Sequence, residues 1–190
     1  MPFPEVEMNI FEAILARRSV RSHTSHEIDR TTVHTLLEAA VRAPTAMHQE
    51  PWGFVVIQNR QLLQRLSDLA QPFLTAAAQR PGQAHGIFVD PQPNIFYGAG
   101  TLIVIGSEST EPFVSADCWL AAENLMLAAC AMKLGTCVIG SALPALNQHQ
   151  AKTELGIPAN FTSVAPIIVG YPAGETAPTT RREPRVLAIN

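Results

Sequence analysis

Cysteine is scarce in this chain: three residues in 190, an odd number, at Cys118, Cys130 and Cys137. No two form a C-x-x-C pair, so neither a disulfide framework nor a zinc site is expected, and a reducing, cytoplasmic setting fits. Each reads as a small apolar core residue. Charge is also sparse, with 15% charged residues and a formal net charge of -3. That leaves no basic excess for a nucleic-acid partner. No long hydrophobic run is present. The longest, Ala121 to Met132, is broken by Glu123 and Asn124 and is too short and too polar for a membrane span. Residues 1–7 hold two acidic side chains and no basic run, so no signal peptide is expected. H-E-x-x-H and G-x-S-x-G motifs are missing. His23 and His26 are close in sequence but lack metal-ligand spacing, and Gly98-Ala99-Gly100 precedes a strand rather than following one, so it is not a dinucleotide loop. No internal repeat or low-complexity tract occurs.

What is present is apolar patterning: 47% of residues are hydrophobic. With so little charge, part of the surface is expected to be covered by another subunit. The length suits a single domain spanning residues 1–190. Asn9, with Glu12 three residues on, predicts a capped helix whose apolar face is Ile10, Phe11, Ile14 and Leu15. Asp29 starts a second helix with a stripe of Val33, Leu36, Leu37, Ala40 and Val41, and Pro44 lies just past its end. Trp52 to Ile57 reads as a strand, and Asn59 opens a third helix facing inward through Leu62, Leu63, Leu66 and Leu69. Residues 71–94, rich in proline and glycine, have no clear period and read as either a functional lid or a partly mobile stretch. Thr101 to Ile105 predicts a buried strand. Ser115 is expected to cap a long helix over 116–134 that Gly135 stops, with Asp117 near its positive end. That helix is apolar around much of its circumference, so it is buried on several sides. Thr136 to Ile139 and Ser163 to Val169 read as strands, Asn147 to Leu155 as a short helix, and Arg185 to Ile189 as an edge strand. Helices first, then strands mixed with helices, argue for an α+β fold rather than strict βαβ alternation.

The residues able to carry chemistry cluster in three places. Arg17, Arg18 and Arg21, with Ser19, place guanidinium forks and a hydroxyl within five residues, as a phosphate clamp requires. The alternative is a solvated patch complementing a helix C-terminus. Arg181, Arg182 and Arg185 form a second cluster, either a solvated tail or a further contribution to the same phosphate. The loop from Pro44 to Trp52 combines small residues with His48, and would let a flat ligand approach backbone amides; His48 equally suits a surface or capping role. Trp52 reads as core.

Four segments in order resemble the flavin-dependent nitroreductase family: Arg17-Arg18-Ser19-Val20-Arg21; Ala43-Pro44-Thr45-Ala46 through Pro51-Trp52; the helix Ala121 to Leu134 followed by Gly135-Thr136-Cys137-Val138-Ile139-Gly140; and Val169-Gly170-Tyr171-Pro172 with an Arg in the tail. The resemblance implies a central, mainly antiparallel sheet flanked by helices. It also implies an intertwined homodimer with one FMN at each of two interface sites, the long apolar helix lying in the dimer core. Carried over by position, Arg17, Arg18 and Ser19 hold the FMN phosphate and ribityl chain, and Arg21 faces the N1/O2 side of the ring, where a cation stabilises reduced flavin. Pro44, Thr45, Ala46 and His48 come from the second subunit. Ile139, Gly140 and Ser141 lie along the ring near N5, and Arg182 closes on the phosphate. The chain departs from the family pattern at His48, where Asn is common, at Glu50, where Gln is common, and over 71–94, where Gln92 or Asn94 would be a flavin-edge donor.

The resemblance further implies a ping-pong oxidoreductase. NADH or NADPH reduces the flavin and leaves, and a small acceptor such as a nitroaromatic or quinone then takes the electrons. No catalytic acid, base or nucleophile is expected from the side chains, because the flavin carries the chemistry. Three alternatives stand beside this: a specialised flavin enzyme of the same architecture (dehalogenating, dehydrogenating or flavin-consuming), a non-catalytic binding or storage protein for a flavin or another phosphate ligand, and a plain structural or interaction domain.

Overall fold

Apolar and β-branched residues dominate the strand-forming segments, and they assemble into one antiparallel sheet. In the computed structural model, which describes residues 7–78 and 94–189, its strands are β1 (Gly53–Ile57), β2 (Thr101–Ser107), β3 (Gly135–Val138) and β4 (Thr162–Gly170), in the order β1-β2-β4-β3. Val55 pairs with Val104, Leu102 with Ile168, and Cys137 also with Ile168. A register shift between Ile105 and Gly106 bends the β2–β4 ladder at one end.

Successive strand residues point to opposite faces, and here both faces are covered. Ile103 and Ile105 of β2, with Ala165, Ile167 and Val169 of β4, pack on one face beneath α2 (Arg30–Ala40) and α4 (Val114–Ala131). Leu102, Val104 and Ile168 pack on the other beneath α3 (Arg60–Ala78), α5 (Leu143–Leu146) and α6 (His149–Leu155). All of β2 is therefore buried, which explains why TLIVI is a continuous apolar run rather than an alternating one. Each large side chain enclosed this way stabilises the fold by about 1.5–3 kcal/mol before entropy is counted. Pro166 sits inside β4, a central strand. Its carbonyl accepts from the Ile139 N–H at 2.8 Å, on the side where β3 has just ended, so its missing donor falls at the ladder's end rather than within it.

Several helix boundaries follow their local signals. In α1 (Ile10–Ala16) Asn9 accepts from the Phe11 and Glu12 amides while the Glu12 carboxylate accepts from the Asn9 N–H. Asp29 accepts from the Thr32 N–H at 2.7 Å, and Asn59 from the Leu62 N–H at 3.0 Å. Other expectations are corrected. Ser115 lies inside α4, whose N-cap is Phe113 with no side-chain cap bond. Gly135 does not stop α4 either. Lys133 adopts the left-handed turn (φ 61°), and the Leu134 N–H closes back on the Ala129 carbonyl at 2.8 Å, leaving Gly135 to open β3. Helix α3 runs through Pro72 to Ala78, into the segment expected to lack a regular period, because Leu69, Phe73 and Leu74 all pack on the second core. The helix expected over 147–155 begins at His149, preceded by α5. Residues 185–189 form no strand and are exposed. The apolar face of α1 also does not meet this chain's core: Ile10, Phe11, Ile14 and Leu15 are exposed, Phe11 by 75%, and only Ala13 is buried.

Candidate functional site

The residues between α1 and α2 are extended, and backbone bonds stitch them to the sheet's end. Val20 N–H donates to the Thr136 carbonyl at 2.9 Å, Thr24 N–H to Tyr171 at 2.9 Å, and Ala173 N–H to Ser22 at 3.0 Å. Ser19 bridges Thr136, and His23 bridges Pro172. The approach is close: a Cβ on Gly135 would lie 2.8 Å from the Val20 Cβ, so the position admits only glycine without a shift.

This segment forms one wall of a cleft of about 250 Å³ lined by Arg17, Arg18, Cys130, Lys133, Thr136 and Thr176, among others. Arg17 Nε donates to Glu123 Oε1 of α4 at 3.1 Å. Arg18 Nη1 donates to the carbonyls of Leu15 at 2.5 Å and Arg17 at 2.8 Å, covering the C-terminal end of α1. Lys133 adds a third cation that no sequence cluster announced. Burial pushes the Cys130 thiol up, with Arg17 and Arg18 pulling the other way. Burial likewise raises Cys137, opposed by Arg21 and by a hydrogen bond with Ser19. Neither thiol is primed as a nucleophile. Ser19 and Arg21 are exposed beside β3. At the far end of β3, Ile139 is buried, while Gly140 opens a short 3₁₀ turn that includes Ser141. A Cβ on Gly140 would meet nothing within 4 Å, which leaves that backbone open to a flat ligand.

The Pro44–Glu50 loop stands elsewhere. The Ala46 N–H donates to Asp117 Oδ1 at 3.1 Å, and Asp117 is only 4% exposed in the first turn of α4. Glu50 N–H donates to Thr45 Oγ1 at 3.3 Å, and Ser107 Oγ to the Pro51 carbonyl at 2.6 Å. Met47, His48 and Glu50 all have positive φ (54°, 58° and 45°), a conformation that costs energy in non-glycine residues and that the anchors around it enforce. His48 is exposed. At the helical rise per residue, Asp117 and Cys130 lie about 20 Å apart along α4, so the loop and the arginine cleft sit towards opposite ends of that helix. Pro44, Thr45, Ala46 and His48 are absent from the cleft lining, and so is Arg182, which lies in the exposed tail. Asn94 spends its side chain locally, accepting from Phe96 N–H at 2.8 Å and donating to Gln64 at 3.0 Å; Gln92 lies outside the described residues. Trp52 packs partly against the first core, as expected. Among the described residues no cluster of His, Cys, Asp or Glu could hold a metal ion, and no helix is long and apolar enough to cross a membrane.

An antiparallel sheet between two helical layers, with a cleft lined by Arg17, Arg18 and Lys133 against its edge strand β3, defines an α+β protein whose cleft carries donors for an anionic group. Comparison with known proteins narrows the class. The model of the nitroreductase family matches residues 14–171, and the chain belongs to that family. It thereby joins the flavin-dependent oxidoreductases that the four segments resemble. A protein of Archaeoglobus fulgidus with the provisional name NADH dehydrogenase/NAD(P)H nitroreductase is 29% identical, covering 85% of this chain and 84% of its own. An FMN reductase (NADPH) of Bacillus subtilis is 29% identical over 87% of this chain and 66% of its own. A nitroreductase from Bacteroides fragilis, solved with bound FMN, superposes with a TM-score of 0.81 at 25% identity, covering 96% of this chain and all of that one.

Proposed function

We propose that this chain is an FMN-dependent oxidoreductase that moves electrons from NADH or NADPH to a small acceptor, such as a nitroaromatic or a quinone, in two successive half-reactions. The observation that carries the reading is the cleft against β3, where Arg17, Arg18 and Lys133 converge and whose strand ends at the open Gly140 step. FMN, when bound, supplies the hydride chemistry itself. The chain's residues bind and orient it. Arg17, Arg18 and Ser19 take the phosphate and ribityl chain through charge-assisted donors, and Arg21 places fixed positive charge on the N1/O2 side of the ring. Ile139, Gly140 and Ser141 offer backbone to the ring near N5. No side-chain acid, base or nucleophile is assigned a proton to move.

The same reading makes the assembly a homodimer. Ala46 is anchored to Asp117, about 20 Å along α4 from Cys130 of the cleft lining, and Pro44, Thr45, Ala46 and His48 line no part of that cleft, so they serve a flavin held by the partner's arginines rather than their own. The exposed apolar face of α1 and an apolar groove of about 340 Å³ between α1, α2 and α4 suit burial against a second copy. Arg182, in the exposed tail, reaches the phosphate, on this reading, only in that assembly.

The test is a spectrum of the full-length chain saturated with FMN, desalted, and treated anaerobically with NADPH and then NADH. The oxidised flavin band is expected to survive desalting and to bleach with at least one nicotinamide. A retained band that neither bleaches would make the protein a flavin carrier, and no retained band would remove the arginine-cleft assignment.

A further inference from the structure

We infer that Glu123 is a positioning residue for the FMN phosphate, holding the Arg17 guanidinium at the cleft; this rests on the phosphate-clamp reading above. Arg17 stands at the C-terminal end of α1, and Glu123 in the body of α4. Their contact is a single Nε–Oε1 bond of 3.1 Å, with the side chains 26% and 45% exposed. An ion pair this accessible contributes little to stability, so it is a poor staple between helices. Orientation is a different matter. A guanidinium has five N–H donors in a rigid fork, and one held at Nε keeps both Nη groups for an incoming anion. Arg18 cannot take that part in the same way, because its Nη1 is already spent on the Leu15 and Arg17 carbonyls. The α4 end of the pair is itself steadied, since the Asn124 amide, next along the helix, donates to the Ala39 carbonyl at 3.2 Å.

A carboxylate beside a phosphate site has two opposing effects. It orders Arg17, sparing the phosphate the cost of immobilising a long flexible side chain, and it repels the dianion. In a single copy Glu123 is nearly half exposed, so solvent screens the repulsion there and ordering prevails. Glu123→Gln separates the two effects, since it keeps an acceptor for Nε and removes the charge. Glu123→Ala removes both.

The experiment measures dissociation constants of FMN and riboflavin for the full-length wild type, E123Q and E123A. The two flavins share ring and ribityl chain and differ only in the phosphate. The wild type is expected to prefer FMN, E123Q to keep or increase that preference, and E123A to lose roughly tenfold of it, as befits one misoriented charge-assisted contact, while riboflavin binding and thermal stability stay near wild type. If E123A folds poorly, Glu123→Met, of similar volume and without an acceptor, carries the same expectation. An unchanged or increased FMN preference in the acceptor-free variant overturns the inference, as does an equal weakening of both flavins. A wild-type chain with no preference for FMN would remove the phosphate clamp itself, and the inference with it.

Discussion

Both ring nitrogens of His23 are sealed from solvent without a hydrogen-bond partner of good geometry. The ring lies against Gly170, where an added Cβ would come 3.2 Å from its Cδ2. Burial lowers its pKa from the ordinary 6.5, only partly offset by the backbone of Gly135 and Tyr97. The folded state thus prefers neutral His23, while the unfolded chain takes up the proton. The stability this contributes is complete above pH 6.5 and is lost as the pH falls through the lower folded value. Thermal midpoints of the wild type should drop on acidification from about pH 7.5 to about pH 5.5, and less so in His23→Gln; equal slopes would show that His23 is not the group responsible. Gly135 makes a second prediction at this scale. Gly135→Ala places a methyl 2.8 Å from Val20 and should cost about 1–3 kcal/mol in chemical denaturation. Val20→Ala in the same chain should restore much of that, because the two sites share one contact.

Among the elements, α4 ties the others together. Through Asp117 it holds the 44–50 loop, through Asn124 it holds α2, and through Glu123 it orients the Arg17 side chain. Asp117→Ala would leave the Ala46 N–H without its partner and should destabilise by about 1–3 kcal/mol, with faster hydrogen exchange over 44–50. Asp117→Asn, which retains an acceptor, should fall closer to wild type; equal exchange in all three chains would show that other anchors hold the loop. These links also mark how far the sequence was legible. Elements defined by neighbours in the chain could be read: the caps at Asn9, Asp29 and Asn59, the apolar strand at 101–105, the arginine cluster at 17–21. Elements decided by packing could not. Ser115 is a good cap residue standing one position inside a helix that begins at Val114, and Pro72 is a helix breaker overridden by the core contacts of Leu69, Phe73 and Leu74. The site divided in the same way. Its arginines announced themselves by local density, whereas Glu123 and Asp117 meet partners 106 and 71 positions away, and Lys133 reaches the cleft only because it closes α4. The family resemblance suggested what spacing alone could not, namely a ligand to propose for the arginines.

For the molecule as a whole, the surface left unpaired is the guide. The outer face of α1 and the tail residues Val186, Leu187 and Ile189, Leu187 by 82%, are apolar and exposed in a single copy, surface of the kind that marks an interface when it is contiguous. Among the described residues the tail pairs with no strand, and the edge strand expected at 185–189 is missing. A charge on the α1 face should therefore act at a distance. Ile14→Arg is expected to shift the chain towards monomer in sedimentation and to weaken FMN retention, although Ile14 lies outside the cleft lining. A variant that stays dimeric and keeps its flavin would exclude α1 from the interface.

The claim on which these readings converge is that one FMN is held at each of two sites completed by a second copy of the chain. Native mass spectrometry of the full-length protein saturated with FMN tests it most directly. The account predicts a complex of two chains and two FMN molecules, with no flavin on residual monomer. A monomer carrying its own FMN, or a dimer carrying none, would contradict it.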